Sequence, residues 1–142
     1  MPACTFFGHR DCDNSIAESL HKVLKDLILS HNVDMFYVGN QGQFDALVRR
    51  TLRTLSQEFP HIQYAVVLAY LPTEPKQHFD YSDTTLPEGI ETVHPRYAIS
   101  WRNDWLLRNS QFVVSYITHP WGGAAKYVEK AKRMRKCVIP LP

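Results

Sequence analysis

No apolar run in the sequence approaches the ~20 residues that a membrane-spanning helix requires, so no membrane association is expected. An excess of one charge is also missing. Lys and Arg total 16 against 14 Asp and Glu, and the net charge of +2 is too small to argue for a polyanionic partner. Nucleic acid is therefore not expected as a partner, and no basic, aromatic-interleaved stripe contradicts this. The local excess of Lys126, Lys130, Lys132, Arg133, Arg135 and Lys136 is explained by a solvated helix face. Cysteine is sparse and odd in number. Cys4, Cys12 and Cys137 lack metal-ligand or disulfide spacing, which points to reduced thiols in a cytoplasmic protein. Cys4 and Cys137 fall in predicted strands as small core residues, and Cys12, in the first loop, is the one candidate for reactivity. The histidines form no metal constellation, and no metal or cofactor is expected. Repeats and low-complexity tracts are lacking. The chain enters an apparent strand at once, so no signal peptide is expected.

What is present is an alternation. Residues 3–8, 34–39, 62–70, 111–117 and 137–141 have the apolar, β-branched character of buried strands. Between them, residues 15–30, 43–58, 97–109 and 124–135 carry helical patterns. Ile16, Leu20, Val23, Leu24 and Leu27 follow the 3.6 period in the first, behind Asp13 or Asn14 as a cap. Phe44, Leu47, Val48, Leu52 and Leu55 mark the buried side of the second, which Pro60 ends. Strands joined through helices imply right-handed βαβ units. The expected fold is α/β, a Rossmann-like three-layer sandwich with a mainly parallel sheet of about five strands, in one domain over residues 1–142. Residues 71–95, with Pro72, Pro75, Pro87 and Pro95, form a long loop with a short strand or turn at 89–93.

In a parallel sheet the turns that follow strands share one edge, where ligands bind outside the strands' carboxyl ends. Three such turns are polar and glycine-containing: Gly8-His9-Arg10, Gly39-Asn40-Gln41-Gly42, and 118–123 with Gly122-Gly123. The last stands between a buried strand and a helix, where backbone N–H groups can face a phosphate. Arg10 can pair bidentately with phosphate or carboxylate. His9 is either a phosphate donor or acid/base group, or a hydrogen bond across its loop. Gly39 and Gly42 allow close backbone approach, and Asn40 and Gln41 can read amide or ribose groups. Asp45 is either a first-turn anion favoured by the helix dipole or a ribose-hydroxyl acceptor. Arg102 and Asn103 form a polar pair in an otherwise apolar helix, beside Trp101 and Trp105, and such a pair must find partners. Glu129 is either a general acid/base reaching back to the cleft or an exposed partner of Lys126, Lys130 or Arg133.

Taken together, Phe6-Phe7-Gly8-His9-Arg10, a glycine turn leading into Phe44-Asp45, Arg102-Asn103 on a helix, and Gly122-Gly123 resemble the SLOG superfamily. That Rossmann-like group includes Smf/DprA, YpsA-like and LOG proteins, and the likeness is strongest to the short YpsA-like members. It covers most of the chain except residues 71–95. The resemblance implies binding of a nucleotide or nucleotide-derived small molecule at this edge, and self-association into a homo-oligomer. Gly8, Arg10, Gly39, Gly42, Gly122 and Gly123 would face the phosphate, with Arg102 and Asn103 in support. The superfamily's phosphoribohydrolase branch carries a Pro-Gly-Gly-x-Gly-Thr-x-x-Glu motif. Laid on it, Gly122-Gly123 match and Glu129 falls on the catalytic acid, which implies nucleotide N-glycosidase activity as the alternative. Trp121, Ala125 and Lys126 replace the motif's proline, third glycine and threonine, with Lys126 offering a compensating charge.

Overall fold

The structure, a computed structural model, describes residues 2–70 and 84–142. Six strands form one sheet: β1 (Ala3–Gly8), β2 (Met35–Val38), β3 (Gln63–Val67), β4 (Thr84–Thr85), β5 (Phe112–Tyr116) and β6 (Cys137–Pro140), in the order β4-β3-β2-β1-β5-β6. Every pairing is parallel. The helices are α1 (Ala17–Ser30), α2 (Gly42–Glu58), α3 (Ala98–Arg108) and α4 (Gly123–Arg133). The α/β, Rossmann-like architecture is thus as expected, with one strand more than the sequence suggests. The extra strand, β4, is two residues inside the proline-bearing stretch, too short to leave a periodic signal. Within that stretch the 89–93 segment is a 3-10 turn, Ile90–Thr92, entered through Gly89 at φ +84°. The part of the predicted loop over 71–83 lies outside the described residues.

Strand periodicity explains the three layers. Successive side chains on a strand point to opposite faces, and here neighbouring residues divide between two cores. Phe6, Val66 and Val114 pack with Leu20, Leu24 and Leu27 of α1 and Leu47, Val48, Leu52 and Leu55 of α2. Phe7, Val67 and Val113 pack with Leu106 and Leu107 of α3 and Tyr127, Val128 and Ala131 of α4. Packing, not capping, holds these helices. α2, α3 and α4 have no side-chain cap hydrogen bond. A cap contributes about 1 kcal/mol, whereas each fully buried Leu or Phe contributes about 2 kcal/mol, and α2 alone buries five large apolar side chains. Asp13 does cap the turn before α1, accepting from Ser15 N–H at 2.9 Å.

Of the cysteines, Cys4 meets expectation and Cys137 and Cys12 do not. Cys4 is buried in the core, but Cys137 is exposed, because edge strand β6 has only β5 beside it. Cys12 is buried and burial pushes its thiol up, away from the thiolate needed for reactivity. The tryptophans of α3 part company too: Trp105 packs edge-on against Tyr37, while Trp101 is exposed.

Candidate functional site at the strand crossover

The strand order reverses between β1 and β5: the chain runs outward from β1 through β2, β3 and β4, then returns to β5 and β6 on the other side. Connections diverge there and leave a crevice at the carboxyl ends. A cavity of about 330 Å³ occupies it, lined by Gly8, His9 and Arg10 after β1, Gly39 and Gln41 after β2, Asp45 of α2, Arg102 and Asn103 of α3, and Gly123 and Ala124 of α4.

Arg102 is the unusual group. It is 4% exposed, and burial lowers the pKa of its guanidinium, opposed by the nearby Asp45 carboxylate. Nη1 donates to the Val67 carbonyl at 3.1 Å and Nε to Asn103 Oδ1 at 2.9 Å. These bonds use two of five N–H donors. Asp45 accepts the Gln41 N–H at 2.8 Å, reaching back to the start of its own helix. Burial pushes its carboxyl up to about 6, against the opposing pull of that hydrogen bond and of Arg102 and Arg10. Gly39 makes the juxtaposition possible. A Cβ there would lie 2.7 Å from Asp45 Oδ2 and 3.0 Å from Arg102 Nη1.

The Asp45 shift has a measurable consequence. A carboxyl near 6 in the folded state against its ordinary 3.8 binds its proton more tightly when folded. Its contribution to stability is present below pH ~4 and is lost as pH rises to ~6, since one unit corresponds to about 1.4 kcal/mol. Relative to Asp45→Asn, the wild type should lose roughly 2–3 kcal/mol across that window. Urea unfolding of both proteins between pH 4 and 7 checks this. Parallel pH profiles would refute the shift.

Arg10 lies exposed at the rim, its Nη2 donating to Gln41 Oε1 at 3.0 Å. Gly42 is required for that approach: it has φ +89°, and a Cβ would lie 2.8 Å from Arg10 Cβ. Gly8 has a packing role, because the buried Phe44 ring occupies the space of its missing side chain. His9 is committed to its loop. Nδ1 accepts the Thr118 N–H at 2.9 Å, so Nε2 carries the hydrogen and donates it to the Trp121 carbonyl at 3.2 Å. Its ring also stacks on His119 at 3.6 Å, and His119 on Trp121 at 4.1 Å. Gly122, at φ +98°, then turns the chain into α4.

Five of the predicted site residues are absent from the lining of this crevice: Asn40, Gly42, Gly122, Lys126 and Glu129. Asn40 opens onto a neighbouring groove beside α2. Lys126 is exposed on α4, away from the cavity lining. Glu129 lines a different, larger cavity of about 700 Å³ between α4 and the ends of β5 and β6, and pairs with Lys132 at 3.3 Å. The helical turn explains the separation: six residues past Gly123 is about 600° of rotation at 100° per residue, so Glu129 leaves the face that Gly123 presents. That larger cavity has mainly apolar walls, including Ile117, Val128 and Val138. The crossover cavity has the convergent polar groups a binding site needs. Sequence reasoning did not anticipate Ile99, Leu106 and Ala124 in the lining, or the His9–His119–Trp121 stack, which forms only once β1 and β5 are neighbours.

No family model matches the chain, and no curated protein matches it. Among solved structures, the X-ray structure of DNA processing protein A (DprA) from Streptococcus pneumoniae superimposes over 100% of the chain with a TM-score of 0.71 at 17% identity. The chain is similar in fold to DprA. It spans about half of that protein, covering 50% of its length. At this identity the likeness is one of fold. The expectation that nucleic acid is no partner does not stand. A protein sharing this fold over the whole chain is a DNA processing protein, and a net charge near zero does not report how charge is distributed at a site. Among the described residues no helix is long and apolar enough to cross a membrane.

Proposed function

We propose that this chain is a binding module that captures a nucleotide or nucleotide-derived ligand by its phosphate at the crossover cavity. The observation that carries the proposal is the buried guanidinium of Arg102 in a cavity wall at the carboxyl ends of β1 and β2. A buried cation is costly unless paired, and its neighbour Asp45 has a carboxyl near 6, so at and below that pH it is only partly compensated. An anionic ligand completes the pairing. Arg10 at the rim supplies a second cation, and the first residues of α4, Gly123 and Ala124, bring the positive end of a helix dipole to the same cavity. The volume of about 330 Å³ lies at the small end of ligand sites, enough for one nucleotide-sized group. Likeness to the short YpsA-like proteins, and the fold shared with a DNA processing protein, support nucleotide chemistry.

The test is calorimetric titration with the four ribonucleoside 5′-monophosphates. Binding is expected to weaken as pH rises through 6, where Asp45 ionises beside the anion. Arg10→Ala and Gly123→Val should each reduce affinity at least tenfold with unchanged melting temperature. The second variant is informative because a Cβ at Gly123 meets no protein atom within 4 Å. Unchanged affinity in both variants would remove the site assignment.

A further inference from the structure

A second cavity, about 360 Å³, adjoins the first. Gly39 and Asp45 are walls of both. Beyond that shared wall the lining is Arg49, Arg50 and Arg53 with Asn40, Gly42 and Ala46. Asp45, Arg49 and Arg53 stand four residues apart, so they form one file along α2, rising about 6 Å per step. Arg50 is steadied by Asn14, Nη2 donating to Oδ1 at 3.1 Å, which fixes the guanidinium without neutralising it. Arg53 is exposed. Among the described residues, the carboxylate in this lining is Asp45, at the end shared with the crossover cavity. Arg50 and Arg53 bring two guanidinium groups to one groove, and phosphate oxygens can engage both.

We infer that the α2 groove is a second phosphate subsite continuous with the crossover cavity, so that the ligand carries two or more phosphate groups, one at Arg102 and Arg10 and the next along Arg50 and Arg53. This rests on the proposed function and narrows its ligand class. The shared chemistry is a nucleotide bearing further phosphates, whether these form a terminal polyphosphate chain or the backbone of a strand. Arginine suits it because its planar fork holds phosphate oxygens in pairs.

The experiment measures affinities of the full chain for adenosine 5′-monophosphate, adenosine 5′-triphosphate and a short oligothymidylate, in wild type, Arg50→Ala/Arg53→Ala and Arg53→Glu. Neither arginine belongs to the crossover cavity. Monophosphate affinity should stay within about threefold. Affinity for the triphosphate or for the oligonucleotide should fall at least tenfold, and which of the two falls identifies the source of the phosphates. If the strand is the ligand, its salt dependence should also flatten, by roughly 0.7 in log–log slope for each phosphate contact removed. Equal losses for all three probes, or losses for none, would overturn the second subsite while leaving the first. Failure of the wild type to bind any probe would overturn the proposed function itself.

Discussion

Arg102→Ala should lower the unfolding free energy by about 3–5 kcal/mol at pH 7, the cost typical of removing one partner of a buried charged pair. Three losses combine. The Val67 carbonyl and Asn103 Oδ1 lose their donors, and an unsatisfied buried acceptor costs about 1–3 kcal/mol. The long side chain leaves a void between β3 and α3. The Asp45 carboxylate loses the nearby positive charge that favours its ionised form. The third part depends on pH. Without Arg102 the folded-state carboxyl rises further above 6, so the variant continues to lose stability with rising pH where the wild type has levelled off. Below both folded-state values the wild type and variant carry the same Asp45 proton, and this part of the difference vanishes. The deficit measured by urea unfolding should therefore be smaller at pH 5 than at pH 7. A deficit independent of pH would show that Arg102 acts on the fold through hydrogen bonding and packing alone. Arg102→Met, which restores much of the volume but not the charge, should recover part of the stability and none of the monophosphate binding.

Gly8→Ala should be nearly as damaging, although it adds one methyl group. The new Cβ would lie 2.3 Å from Cδ2 and 2.6 Å from Cγ of Phe44. Those atoms are at the root of a fully buried ring that also stacks on Tyr116 at 5.8 Å, so the ring has little room to retreat. Gly8 is paired with Tyr116 in the middle of the sheet, so the strand cannot shift without breaking the β1–β5 ladder. Overpacking of this kind costs about 1–3 kcal/mol, and the closeness of the contact places the loss near 3 kcal/mol. Phe44→Leu alone should cost about 1 kcal/mol. Combined, the two changes should cost at least 1 kcal/mol less than their sum, because the smaller side chain makes room for the methyl group. Strict additivity in denaturant unfolding would show that the clash is relieved elsewhere.

The two changes separate what kinds of information the sequence held. Local pattern was enough for the elements. The apolar, β-branched run along 111–117 and the 3.6 period along 43–58 need only neighbouring residues, and those elements stand where the pattern placed them. The common edge of the three glycine turns was equally legible, since it follows from parallel pairing alone. The file Asp45, Arg49, Arg53 was also available from spacing, though its meaning depends on the groove beneath it.

What the sequence by itself determined is therefore the βα alternation, the two-faced strands, and the edge at which polar groups gather. These are short-range consequences of backbone geometry and apolar burial, fixed within each element and its nearest turn. The tertiary structure alone decided what each polar group does there. It made Gly8 a seat for Phe44 and bound His9 into a loop 109 residues away through Thr118. It turned Glu129 to another cavity, and it set Arg102 opposite Asp45 across the bare Cα of Gly39. The physical reason is that these roles depend on distances and dielectric surroundings between segments far apart in the chain. The charge state of Asp45 and the burial of Arg102 arise only when β1, β2, α2 and α3 close around one crevice.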